Sequence, residues 1–287
     1  MTWELISDVL LDTLIDSAKL FPLLLLTYLA MEFIEHKASS KTDKLITSVG
    51  RAGPAVGGLL GVVPQCGFSG AVAGFYAARI VTLGTFISVI LVTSDEMLPI
   101  LISNRTDITV ILKLLGCKLA VGIIAGFLID FIVPKKPCNA HEGIDRMCRS
   151  EHCSCNKSGI FVSALKHSGQ VIAMIFAVSF VIALIMELIG EENLSRLIIN
   201  QPFVGELITG LLGIIPNCSV SVILTDLYVD GILSAGALLS GLLVNGGVGI
   251  LVLFRLNHNI KENIAIVGII YAIGVIAGML LGLLPIW

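Results

Sequence analysis

Charge is scarce in this chain: of 287 residues only 14% are Asp, Glu, Lys or Arg, where a soluble domain carries roughly 25%. That scarcity excludes a soluble globular protein. Aromatic residues make up 6% and the net charge is -3, so the basic, aromatic-rich face that nucleic acid requires is missing and nucleic acid is not an expected partner. No Walker-type glycine-rich loop occurs, which leaves ATP without a binding signature. No basic residue precedes Lys19, whereas Glu4, Asp8, Asp12 and Asp16 do. This order is wrong for a cleavable secretory signal, and the N-terminus is expected to be retained.

What the chain has in abundance is apolar surface, 56% of its residues, with a mean hydropathy of +0.97. Long apolar runs fall at about 21–34, 81–101, 109–133, 169–190, 232–254 and 264–285, with two broken Gly-rich regions at 52–78 and 204–229. A bilayer core of ~30 Å takes about twenty helical residues, so the expected class is an all-α, multi-pass membrane protein in contact with lipid. Each broken region is too short for two full helices and reads as a re-entrant hairpin or as two short tilted spans. Either way each half of the chain crosses an odd number of times.

Lys and Arg gather on one side: Lys37, Lys41, Lys44, Arg51, Arg79, Lys135, Lys136, Arg146, Arg149, Lys157, Arg255 and Lys261, against Arg105 and Arg196 on the other. The positive-inside bias then puts the segment 134–158 in the cytoplasm and both termini outside the cytoplasmic membrane. Three units are expected: a first transmembrane repeat at 1–133, a hydrophilic loop at 134–158 and a second repeat at 159–287.

The repeat is explicit. At an offset of 152, Gly58-Leu-Leu-Gly-Val-Val-Pro-Gln-Cys66 falls on Gly210-Leu-Leu-Gly-Ile-Ile-Pro-Asn-Cys218, and identities continue at Ser69/Ser221, Tyr76/Tyr228, Ile80/Ile232, Gly84/Gly236, Ser88/Ser240, Leu91/Leu243 and Val92/Val244. Upstream, an offset of 155 aligns Met31-Glu-Phe-Ile34 with Met186-Glu-Leu-Ile189 and brings Asp12 onto His167. A duplicated unit with an odd number of crossings inserts in opposite orientations, and matched Gly/Pro interruptions mark a solute site near the midplane. Close packing alone would account for Gly58, Gly61, Gly67, Gly70 and Gly74, but not for the Pro, amide, Cys and Ser kept in register with them.

Polar side chains inside the apolar regions are the candidate ligands, because the membrane tolerates them poorly without a partner or a wet cavity. Gln65, Cys66, Ser69, Asn217, Cys218 and Ser221 come from the repeated segment. Asp226 stands where the first half has Gly74, and Asn245 aligns with Thr93. Asp12 and His167 are candidates for a proton relay, although Asp12, Asp16 and Lys19 also suit an interfacial amphipathic face. Glu32 and Glu187 are either intramembrane or interfacial, Asp95 and Glu96 read as a solvated helix end, and Lys113 and Lys118 either pair with acids or snorkel.

Seven cysteines are present. Cys117 reads as a small core residue, and four others fall in the loop as Cys138, Cys148, Cys153 and Cys155, beside His141 and His152. In a reducing cytoplasm these are thiols and form a metal-ligand set, although the spacing is not that of a standard zinc finger. The loop is expected to capture or sense a soft metal; otherwise it is a plain hydrophilic linker. No resident cofactor is expected beyond such a metal.

The stretch from Gly210 to Gly231, the pattern Leu26-Thr-Tyr-Leu-Ala-Met-Glu-Phe-Ile-Glu-His-Lys37 and the His/Cys-rich loop together resemble the ten-transmembrane heavy-metal exporter family. Its members are labelled manganese transporter or arsenic efflux protein. The resemblance covers nearly the whole chain and implies ten spans as five plus five, with short paired spans in place of hairpins.

The expected function is secondary export of a metal ion, Mn²⁺ in preference to trivalent arsenic because Asp226 offers a negative charge that neutral arsenite does not need. Paired thiols argue the other way. Proton exchange is the simplest coupling, with Asp12, His167 or Asp226 titrating. An intramembrane enzyme would need one asymmetric constellation, and a membrane-anchored metal sensor would need no broken helices; both are weaker readings. A homo-oligomer is compatible with the sequence.

Overall fold

The computed structural model describes residues 52–63, 66–93, 97–133, 160–189 and 203–284, with further helical positions between 7 and 29. Among the described residues the regular structure is helical throughout. In chain order the helices are α1 (Ala52–Gly61), α2 (Cys66–Ala77), α3 (Leu83–Val92), α4 (Met97–Ser103), α5 (Ile108–Ile132), α6 (Ile160–Ile189), α7 (Val204–Gly213), α8 (Cys218–Val229), α9 (Ala235–Val244), α10 (Val248–Leu256) and α11 (Ile260–Gly282). The bounds of α1, α2 and α3 plus 152 are those of α7, α8 and α9, and α5 and α11 start at equivalent residues.

Local chemistry sets these boundaries in matching places. The hydroxyls of Thr82 and Ser234 cap α3 and α9, accepting from the N–H groups of Thr85 and Ala237; each satisfies a donor that the helix start leaves open. α2 and α8 both end on a left-handed residue, Arg79 at φ 59° and Gly231 at φ 73°, whose N–H returns to the carbonyl of Tyr76 or Tyr228. The span Ala235–Leu256 is interrupted at Asn245-Gly246-Gly247, where Gly247 takes φ 48°, a conformation that suits glycine.

Four stretches are long and apolar enough to cross a membrane: Leu83–Ser103, Ile108–Ile132, Ala235–Leu256 and Ile260–Gly282. The uninterrupted pair lies outside, with 28% and 33% of the apolar window buried, whereas the interrupted pair is 73% and 89% buried. On α5, Ile108, Leu112, Leu128, Phe131 and Ile132 point outward, as a lipid-facing surface should. The helices that are weakest as isolated spans therefore form the centre, sheltered from lipid, where exposed backbone groups can be satisfied by protein.

α1 and α2 run in opposite directions beside α3. Gly53 lies against Thr85 near the start of α3, Gly61 against Val89 and Val92 near its end, and the Tyr76 ring, at the far end of α2, stacks on Phe86 at 5.1 Å. The chain thus runs beside α3 to its end and then returns to its start. At roughly 15–18 Å per arm each arm is shorter than a ~30 Å bilayer core, a length shared by a re-entrant hairpin and by two short tilted spans.

The packing is duplicated as closely as the sequence. α5 lays Gly122, Gly126 and Asp130 along α3, and α11 lays Gly274, Gly278 and Gly282 along α9. A methyl on Gly126 would come within 2.7 Å of the Gly84 carbonyl oxygen, and one on Gly278 within 2.7 Å of that of Gly236. Ser88 Oγ donates to the Pro54 carbonyl and Ser240 Oγ to the Glu206 carbonyl, each at 2.7 Å. The halves also interleave: α2 packs on α10, and α8 packs on α4. Accordingly one core cluster mixes Tyr76, Phe86 and Ile90 with Val248 and Val252, and the other mixes Met97 and Leu101 with Val220 and Leu224.

Candidate functional site

The ends of α1 and α7 meet the ends of α3 and α9 at the middle of this arrangement. Gly213, the last residue of α7, sits against Val244 and the Asn245 N–H, so the hairpin turn at 214–217 lies beside the interruption of its own half. Gly61 stands in the same relation to the end of α3. Across the halves, Gly249 at the start of α10 would place a methyl 2.8 Å from Ser69 Cβ on α2, and Gly246 would place one 3.0 Å from Ile90 on α3. The turn at 214–217 is therefore held beside the interruption of its own half, and α2 packs near its start against the start of α10 in the other half.

Asn217 does the work of an N-cap: its Oδ1 accepts from the Ser219 N–H at 2.9 Å, while its Nδ2 makes a long 3.5 Å contact with the Ser179 carbonyl of α6. Ser221 donates back to the Cys218 carbonyl at 2.7 Å. Ser69 is fully buried, and Cys218 is a half-buried thiol at the first position of α8. Asn245 ends α9 and its Oδ1 accepts from the Gly247 N–H at 3.1 Å, bracing the interruption. Ser69, Asn217, Cys218, Ser221 and Asn245 thus all belong to this central region. Asp226 does not: it is the ninth residue of α8, about 12 Å along the axis from Cys218, close to the exposed Asp230.

Several sequence candidates are not part of this picture. Cys66 starts α2, and His167 and Glu187 lie on α6, but only their backbone is described; Gln65, Glu32, Asp95, Glu96 and all six ligands of the 134–158 loop (Cys138, His141, Cys148, His152, Cys153 and Cys155) lie outside the described residues. Asp12 is exposed between the exposed Leu11 and Leu14. Among the described residues no three His, Cys, Asp or Glu side chains gather as a metal site.

Sequence reasoning left Lys118 undecided and missed three carboxylates. Lys118, on α5, is completely buried, and its Nζ donates to the Thr93 carbonyl at 2.7 Å and the Leu242 carbonyl at 3.0 Å. These are C-terminal carbonyls of α3 and α9, one from each half. Asp130 accepts from the Thr82 hydroxyl at 2.7 Å and the Gly84 N–H at 2.8 Å, at the start of α3. At the start of α9 a different acid serves, for Glu206 Oε1 lies 3.0 Å from where a Gly236 methyl would stand. An anion at a helix N-terminus is favourable, and both interrupted spans have one, supplied by different helices.

Glu262 clamps the two halves at one end. Both its oxygens accept from the Arg79 guanidinium at 2.7 Å, and the Tyr76 hydroxyl donates to Oε1 at 2.7 Å. The hydrogen-bonded carboxylate pushes the Arg79 pKa above the ordinary arginine range, so the clamp stays charged. The Tyr76/Tyr228 identity was one hint, but residues 183 positions apart carry no local signal. No protein-family model, curated protein or solved structure matches the chain.

Proposed function

We propose that this chain is a secondary transporter that exports a heavy-metal or metalloid species through the crossing of its interrupted helices. The observation that carries the reading is the meeting of the ends of α1, α3, α7 and α9 in a centre flanked by the less buried α5 and α11. Broken helices in a bilayer are tolerated where they line a solute path, and a membrane anchor needs none.

An inverted arrangement of the two halves is supported by direction. α2 and α10 both start at the crossing and run to the side marked by the Tyr76–Glu262 hydrogen bond, so the interrupted span of the second half runs opposite to α3. With two hairpins counted as paired segments, five plus five segments remain the natural count. The cytoplasmic placement of 134–158 rests on the charge bias.

For the cargo, two readings differ in ligand chemistry. Mn²⁺ would favour oxygen donors with negative charge, and Asp226 is the acid the sequence offers for it. The position of Asp226, far along α8 from Asn217 and Cys218, weakens that argument and favours the softer guest, trivalent arsenic, with Cys66 and Cys218 as the matched thiols. The decisive experiment is total cellular metal by mass spectrometry, under challenge with Mn²⁺, Zn²⁺, Fe²⁺, Co²⁺ or arsenite. Cells carry the intact chain, a Cys66→Ser/Cys218→Ser form or Asp226→Asn. Arsenic lowered by the intact chain and by Asp226→Asn, but not by the double-Ser form, is the expected result. Manganese lowered with the dependence reversed selects the first reading, and no change in any element defeats the export proposal.

A further inference from the structure

We propose that the Lys118 ammonium is a built-in cation that ties the two interrupted helices together, occupying the place where a coupling alkali ion would otherwise bind. The helix C-terminus leaves its last carbonyls without partners and carries partial negative charge. In transporters with discontinuous helices these ends and unwound carbonyls are what Na⁺ or H⁺ binds. Here a side chain reaches that position from α5. It is fully buried, and its 2.7 and 3.0 Å bonds go to Thr93 at the end of α3 and to Leu242 near the end of α9.

One lysine suffices for both halves. The position equivalent to Lys118 is Ile270, buried to 1% exposure on α11. Because Nζ already touches both halves, it sits near the axis that relates them, and a second lysine reaching inward from position 270 would bring a like charge into the same region. The asymmetry Lys118/Ile270 is thus what a single central cation demands. Neither sodium nor potassium is then needed to hold α3 against α9, and the crossing keeps its cation in every state of the cycle. The link to transport rests on the function proposed above; the cation site itself does not.

The test is thermal unfolding of the purified full-length protein in detergent at constant ionic strength, in sodium, potassium or N-methylglucamine chloride, for the native chain, Lys118→Ala and Lys118→Met. The native chain should melt at one temperature in all three salts. Lys118→Ala should melt several degrees lower in N-methylglucamine and recover, saturably, with Na⁺ or n-propylammonium, whereas Lys118→Met, whose stem fills the space, should not recover. A native chain that requires an alkali ion, or an Ala variant that no cation restores, overturns the proposal. If the variants cannot be purified, the native arm decides alone. Cation rescue in a chain that moves no metal would uphold the built-in cation and reject the transport reading, so the two fail separately.

Discussion

The ends of α2 and α8 are the same turn built twice, and they differ in what secures them. Both helices close on a left-handed residue with matching backbone bonds, Arg79 N–H to Tyr76 and Gly231 N–H to Tyr228, at 2.8 and 3.0 Å. In the first half the left-handed residue is an arginine whose side chain, with Tyr76, grips Glu262 of the second half. In the second half it is a glycine, and the position equivalent to Glu262 is Val110. The same pattern holds elsewhere: Lys118 against Ile270, Asp130 against Gly282, Asp226 against Gly74. Apolar contacts and small residues were kept in both copies while these charges occur in one. A helix pair needs its close approach wherever it occurs, whereas a buried charge is costly and one that reaches both halves, as Lys118 does, can serve both copies.

If the packing skeleton is truly equivalent, the largest and most symmetric damage comes from its closest contacts. Gly126→Leu and Gly278→Leu each drive a side chain into the backbone of the partner helix, which cannot yield as a flexible side chain would. Each should cost about 3 kcal/mol, at the upper end of overpacking effects, seen as a large drop in melting temperature in detergent. Tolerance of one but not the other would show that the duplicated contacts do not carry equal weight. The clamp should behave in the opposite way. Arg79→Ala removes two charge-assisted bonds and is expected to cost about 1–2 kcal/mol, moderated because the guanidinium is part-exposed. Gly231→Ala, in open space, should cost only the left-handed strain of about 1 kcal/mol. Equal losses would mean that the ion pair adds nothing beyond the turn.

The skeleton was legible because a duplication prints the same constraint twice. Pro64-Gln65-Cys66 and Pro216-Asn217-Cys218 announced two broken regions in register, and the Ser88/Ser240 and Gly84/Gly236 identities marked what proves to be the helix contact. Part of the glycine signal is packing: Gly58 meets Ser88 Oγ and Ile123, and Gly61 meets Val89. The charges were not legible for the same reason. Lys118 has no mate in the repeat, Glu206 replaces Asp130 from a different helix, and Glu262 finds Arg79 across most of the chain. Asp226 stood out because its half differs from the other, but a difference between copies says nothing about distance from the centre.

Smaller effects test the same division. Ser88→Ala and Ser240→Ala each remove one buried hydroxyl-to-carbonyl bond of 2.7 Å and should each cost about 1 kcal/mol. Values that agree within a few tenths are expected, since both carbonyls sit at equivalent places in α1 and α7; a twofold disparity in chemical-denaturation stability would undo the equivalence.

The finest comparison is between the two tyrosines kept identical by the repeat. Tyr76 is buried to 2% exposure, stacks on Phe86 and gives its hydroxyl proton to Glu262. The Tyr228 hydroxyl makes no hydrogen bond among the described residues, and the side chain packs partly buried against apolar neighbours. Replacing either by Phe keeps the ring and removes only the oxygen, so packing is held constant and the hydroxyl alone is read. Tyr76→Phe should lose about 0.5–1 kcal/mol, the net worth of one hydrogen bond to a carboxylate that Arg79 still satisfies. Tyr228→Phe should fall within about 0.5 kcal/mol of zero, as substitutions that break no named interaction do. A loss at Tyr228 matching that at Tyr76 would mean that the identity preserves a polar role in both copies and that the clamp is not the reason Tyr76 was kept. A loss at Tyr76 alone would leave shape as what the repeat preserved, with the hydroxyl used once, where an acid from the other half came within reach.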